Sequence, residues 1–233
     1  MMEVIFMSNE KQEIMVKYEI DGQEIKLTPS IVQEYIVGTD AKITMQEFKL
    51  FTELCKCRKL NPFLREAYLI KYKSGQPASL VVGKDAILKR AVLNSNYNGM
   101  KSGIIVQKED GIIEERKGLF YIPGKEIIVG GWAEVYRKDW EHPTYCSVSF
   151  DEVAQRKSDG NLNSNWATKK ATMIEKVAKV RALRETFVED LAGMYEAEEM
   201  DTPPTKDVTE VVEVVEQVEP QEEIEEEVSM SEL

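Results

Sequence analysis

Apolar and polar residues alternate from Glu13 to Leu27. Val16, Tyr18 and Ile20 precede Asp21-Gly22, and Ile25 and Leu27 follow it. Period two on either side of an Asp-Gly pair predicts a β-hairpin. Beyond Pro29 the apolar spacing lengthens through Ile31, Tyr35 and Ile36, which predicts a short helix stopping near Gly38. Thr44 and Glu47 form a capping box at the head of a helix that runs through Phe48, Phe51, Leu54 and Cys55 and ends before Asn61-Pro62. Strands are predicted over Glu66–Tyr72 and Ser79–Gly83, joined by a Ser-Gly turn, with a helix over Lys84–Asn94. Further strands cover Ser102–Lys108, Ile112–Lys117, Glu126–Arg137 and Thr144–Ser149, with turn signals at Glu109-Asp110-Gly111 and Pro123-Gly124. Phe150–Lys157 reads as a short helix capped by Ser149 or Asp151, and Ser158–Asn165 as a polar loop. This order predicts an α+β fold, an antiparallel β-sheet core flanked by helices.

The longest helical stretch begins at Trp166, with neither Gly nor Pro before Ala192. At about 100° per residue, Lys169, Lys170, Lys176, Lys179, Arg181 and Arg184 share one arc roughly 200° wide, with Glu175 and Glu185 opposite. Ala167, Ala171, Ile174 and Ala178 make an apolar strip, while Met173, Val177, Val180, Leu183 and Phe187 sit among the bases. A long basic helix of this kind suits the half-buried wall of a groove, its lysine stems packed and their heads projecting. The competing reading is a plain solvated basic face.

Charge changes the picture. The chain carries −12 overall, yet residues 50–185 carry +8 and residues 201–233 carry −11. The part expected to fold therefore suits a polyanionic partner, whatever the whole-chain value implies. After Asp201-Thr202-Pro203-Pro204 the sequence is mostly Glu and Val, and an acidic disordered tail is expected. Three domains follow: 1–43, a hairpin and short helix suited to a subunit contact; 44–200, the core; and 201–233, the tail. No apolar run reaches membrane-spanning length and the opening MMEVIFM lacks the features of a signal peptide, so a soluble cytoplasmic protein starting at Met1 or Met7 is expected. Cys55, Cys57 and Cys146 are expected to be reduced, buried thiols.

Signs of catalysis are weak. Gly118–Lys125 has a P-loop flavour, but five residues separate its glycines and Glu126 stands where Ser or Thr would hold magnesium. His142 is the sole histidine, and Cys55-Lys56-Cys57 has the wrong spacing for a zinc knuckle. Neither an enzyme nor a cofactor is expected.

Four ordered segments carry a resemblance. They are Leu60-Asn61-Pro62-Phe63 with Glu66-Ala67-Tyr68; Leu80-Val81-Val82-Gly83 with Asp85; Ala133–Asp139 with His142-Pro143; and Trp166, Met173-Ile174, Lys176, Ala182-Leu183-Arg184, Phe187, Gly193, Tyr195 and Glu198-Glu199. In these segments, from Thr44 to Met200, the chain resembles the Bet family of phage recombination proteins, within the Redβ/RecT superfamily. Val188 departs from the Pro that many relatives have after the Phe, which would let the helix run further. The resemblance implies ATP-independent annealing of complementary single-stranded DNA downstream of a 5′→3′ exonuclease. It also implies a homo-oligomer, ring or helical filament, holding the strands and the annealed duplex intermediate in an outer basic groove. The rival reading is an acidic interaction protein that binds a phage or host factor without touching DNA.

Annealing requires two like-charged strands to be held close with their base edges free, which backbone contacts from Lys and Arg allow. On that logic Lys169, Lys170, Lys176 and Arg184 are assigned to phosphates. By position in the family pattern Arg137 and Lys138 face the same groove, Arg65 meets the outer strand, and Lys73 and Lys84 add to it. For each, the alternative is a surface charge or an ion pair. Lys179 and Arg181 fit the glutamates of a neighbouring subunit equally well. Trp132, Tyr136 and Trp166 divide between base stacking and the core, and Asn61-Pro62-Phe63 reads as a helix stop with a packed Phe.

Overall fold

The computed structural model describes residues 14–37, 41–71, 75, 77–157 and 159–197. Strands β1 (Val16–Ile20) and β2 (Gln23–Leu27) form the expected hairpin, with Asp21 in the left-handed region at φ 49°. Its inward residues Tyr18, Ile20, Ile25 and Leu27 join the main core, and the Tyr18 hydroxyl donates to the Leu60 carbonyl at 2.9 Å. Helix α1 (Pro29–Ile31) runs straight into a π turn over Val32–Ile36. The Thr44–Glu47 capping box opens α2 (Met45–Arg58), which closes on Lys59 in a left-handed conformation.

Glu47 has a second role. Its carboxylate is buried and receives the Lys71 ammonium at 2.9 Å and the Ala78 amide at 2.7 Å. Burial alone would raise its pKa. The bonds from Thr44, Lys71 and Ala78 outweigh that, and the carboxyl is held below its ordinary range. One residue thus caps α2 and ties it to the sheet formed by β3 (Ala67–Ile70) and β4 (Ser79–Val82).

Helix α3 (Lys84–Leu93) leads to a four-stranded antiparallel sheet of order β6-β5-β7-β8, built from β5 (Tyr97–Lys108), β6 (Ile113–Lys117), β7 (Glu126–Arg137) and β8 (Thr144–Ser149). Short helices α4 (Phe150–Val153) and α5 (Ser164–Thr168) precede α6 (Lys170–Thr186), and α7 (Val188–Leu191) follows. The inner face of the sheet, with Ile104, Val106, Ala133, Val135 and Val148, is covered by α6. The approach is close: a Cβ on Gly131 would lie 2.7 Å from the Ile174 carbonyl oxygen, so any other residue there would push helix and sheet apart. The architecture is α+β, antiparallel sheets flanked by helices.

Besides element ends, where β5 begins at Tyr97 instead of Ser102 and α4 stops at Val153 instead of Lys157, three details depart from the sequence reading. The long C-terminal stretch is interrupted at Lys169 (φ −127°, ψ 42°) and again at Phe187 (φ −124°, ψ 53°). Phe187 turns inward, fully buried, against Tyr97 at a centroid distance of 6.1 Å, so the helix ends there although no Pro follows. Cys57 is exposed, unlike the buried Cys55. Phe63 is half exposed rather than packed. Gly38, Tyr72, the start at Met1 or Met7, Glu198-Glu199 and the acidic segment 201–233 lie outside the described residues.

Candidate nucleic-acid interface

Helix α6 organises the basic residues. Met173, Ile174, Val177, Ala178, Val180, Ala182 and Leu183 are all buried, because α6 packs on β5, β7 and β8 and also meets α3. The apolar residues among the bases therefore belong to the core, with the cationic heads threaded out between them. Glu175 is buried as well; it accepts the Ser102 hydroxyl at 2.8 Å and pairs with Lys179 at 2.8 Å. Arg181 lies 3.6 Å from Glu152.

Lys169 and Lys170, at the head of α6, are exposed. No side chain caps this terminus and its first turn holds no acidic residue. Among the described residues neither lysine has an ion-pair partner. Two positive heads beside an uncapped helix N-terminus, whose dipole adds positive potential, favour an anion. Lys170 also borders a cavity of about 530 Å³ lined by Tyr121, Glu126, Ile127, Phe150 and Asp151.

Farther along, the cations are engaged. Lys176 is half-buried and pairs with the buried Glu196 at 3.3 Å. The Arg184 guanidinium lies 4.6 Å from the centroid of the Tyr195 ring. Arg137 is the most enclosed. Asp139 accepts from it at 2.9 Å twice, Glu189 at 2.6 Å and the Thr186 carbonyl at 2.9 Å, while Trp140 and Phe187 lie over its guanidinium. Those carboxylate bonds, Asp139 first and then Glu189, raise its pKa further and keep it charged. Arg137 is a staple between β7 and the α6–α7 junction. Its neighbour Lys138 is exposed, with its ammonium on the Ser95 carbonyl at 2.8 Å.

The remaining candidates meet at the other end of the segment 194–197. Tyr195 accepts the Val82 amide at 2.8 Å, linking Arg184 to β4. One residue on, the Gly83 amide donates to the Glu66 carbonyl at 3.0 Å, and a Cβ on Gly83 would sit 3.1 Å from the Arg65 carbonyl oxygen. Lys84 opens α3 here, 3.7 Å from Asp85, and Arg65 is exposed with φ 58°. Arg65 and Lys84 thus flank the Gly83–Glu66 bond, Arg184 rests on Tyr195, which bonds to Val82, and Lys176 meets the next residue, Glu196, while Lys169 and Lys170 stand at the far end of α6. At 1.5 Å per residue α6 spans about 25 Å. Lys73 lies outside the described residues. Trp166 is a core aromatic; Trp132 is buried on the sheet's outer face, stacked on Tyr145 with its indole N–H donating to the Arg116 carbonyl, and Tyr136 shares that face with Lys101 and Glu134.

Sequence reasoning missed Tyr195 and Glu196 as the partners of Arg184 and Lys176. It singled out Tyr195 only as part of a motif. Their pairing depends on the chain turning back after α7 at Gly193 (φ 80°).

The fold and its basic residues, set on the surface around one core helix, point to a protein that binds a polyanion. A family comparison makes this specific: the RecT family model matches residues 22–215, most of the chain, and the chain belongs to the RecT family. Family membership marks it as a single-strand annealing recombination protein of phage type. The match begins well before Thr44, taking in part of the hairpin that shares the core. No curated protein matches the chain significantly. Among the described residues no helix is long and apolar enough to cross a membrane.

Proposed function

We propose that the chain anneals complementary single strands of DNA without ATP, as a Bet-type member of its family. Phosphates are held by Lys169 and Lys170 at the head of α6, by Lys176 and Arg184 along it, and by Lys84 and Arg65 beyond Tyr195. Lys138 adds charge at the foot of the helix, Lys73 belongs to the same set, and Arg137 fixes the geometry. Base pairing changes no covalent bond, so positioning and charge neutralisation suffice. The strands and the annealed duplex intermediate lie in a groove of a homo-oligomer, ring or helical filament, in the bacterial cytoplasm, downstream of a 5′→3′ exonuclease.

The observation that supports this most is the bonding from Glu66 through Gly83 and Val82 to Tyr195, on whose ring Arg184 rests, which links the backbones of the three sequence segments that carry Arg65, Lys84 and Arg184. A gel shift with labelled single-stranded oligonucleotide, followed by addition of the complementary strand without ATP, tests it. Binding and duplex formation are expected. Absence of binding would favour the acidic interaction protein instead.

A further inference from the structure

We propose that Phe63 is a nucleobase-stacking residue at the Arg65 end of the basic path. This rests on the single-strand-binding reading above. Phe63 lies on a one-turn 3-10 segment, Pro62–Leu64, between α2 and β3. Phe63 is 50 % exposed and Leu64 is 67 % exposed, although Pro62 on the same turn and Leu60 just before it are buried.

The exposure is built in. The Asn61 side-chain oxygen accepts the Phe63 amide at 3.0 Å, and the Arg65 amide donates to the Pro62 carbonyl at 2.9 Å. Glu66 closes the turn from below, accepting the Asn61 amide at 2.8 Å and the Lys89 ammonium at 3.0 Å. A turn pinned at both flanks holds the Phe63 backbone in place, so binding need not order it.

Backbone conformation points the same way. The three non-glycine residues with positive φ among the described residues are Asp21, Lys59 and Arg65, and two of these flank this turn. A left-handed conformation costs a residue with a Cβ roughly 1 kcal/mol that glycine avoids. Lys59, which closes α2, and Arg65 thus set two cationic residues at the flanks of the turn that carries the ring, and strain of this kind clusters at ligand-binding sites. Lys56, Lys59 and Arg65 are all exposed, the Glu66 carboxylate is occupied by Lys89 and the Asn61 amide, and Asp21 lines a small pocket together with Lys59. An aromatic face flanked by positive charge matches a ligand that offers flat rings and an anion at each repeat, as a single strand does. Stacking is sequence-tolerant, as annealing demands. Arg65 then takes the phosphate next to the stacked base.

The full-length protein separates the two ligand parts. Binding of labelled oligothymidylate is compared with binding of an abasic deoxyribose-phosphate strand of equal length. Phe63→Ala is expected to weaken oligothymidylate binding about tenfold, within the range of one stacked base, and to leave abasic binding and the salt slope unchanged. Phe63→Trp keeps wild-type affinity and its added fluorescence is quenched by oligothymidylate. Arg65→Ala weakens both ligands alike. Phe63→Ala binding oligothymidylate like wild type overturns the proposal. So does an equal loss on both strands, or sedimentation as a smaller species, which would make the ring a fold or subunit contact. If the wild-type protein binds neither strand, the broader single-strand reading fails first, and the two failures are told apart.

Discussion

The cations at the two ends of α6, Lys169 and Lys170 at its head and the β7 residue Arg137 at its foot, carry the same charge and sit in opposite circumstances in space. At the head, Lys169 and Lys170 project into solvent beside an uncapped helix terminus. At the foot, Arg137 is wrapped by Asp139, Glu189 and the Thr186 carbonyl between two aromatic rings. Lys176 and Arg184 lie between these extremes, each with one face committed to Glu196 or Tyr195. A cation whose hydrogen bonds are already satisfied by carboxylates gains little from a phosphate; a solvated one beside a positive dipole gains more. The head of α6 is where binding should be most sensitive to substitution, and the foot is where folding should be.

The largest expected effect lies with the other buried cation, in the α2–β3–β4 region. Glu47→Ala leaves Lys71 buried without its carboxylate and removes a helix cap, so a loss of about 3 kcal/mol in urea denaturation is expected. The folded pKa of Glu47 is depressed, so its contribution is present above the unfolded carboxyl pKa and disappears as pH falls through the folded value. Stability of the wild type should therefore fall steeply on acidification in the carboxylate range, and Glu47→Gln should flatten that part of the profile.

Arg137→Ala comes next. Its partners Asp139 and Glu189 are about half exposed, so solvent screening limits the loss to about 2 kcal/mol. Arg137→Lys should recover little of it, because an ammonium cannot make the bidentate bond or lie flat between Trp140 and Phe187. An Arg137→Ala protein of unchanged melting temperature but weakened DNA binding would reverse the comparison. The smallest effect on folding is expected at the head: Lys169→Ala with Lys170→Ala should leave thermal stability within about 0.5 kcal/mol.

Much of the fold was legible in the sequence. β7 and β8 occupy the expected ranges because turn signals bracket them, and the Thr44–Glu47 box gave the start of α2 because capping is a local matter. What escaped depends on distant partners. Nothing near Phe187 announces that its ring turns onto Tyr97, and so the end of α6 was not visible. The charge pattern of α6 could not separate Lys170 from Lys176, since the difference is Glu196, brought back by the turn after α7. Arg137 matched a motif, but its staple role depends on Glu189, far along the chain. Helix periodicity identifies which residues share a face; only the fold decides whether another segment already covers it.

The most direct test of the account is a salt titration of single-strand binding by the wild type and the Lys169→Ala/Lys170→Ala variant. If about four phosphates are contacted per subunit, log affinity should fall against log salt with a slope of about −3, and with a slope of about −1.4 once two contacts are gone. Equal slopes for the two proteins, or a flat response in the wild type, would contradict the assignment of the exposed head of α6 to the DNA backbone.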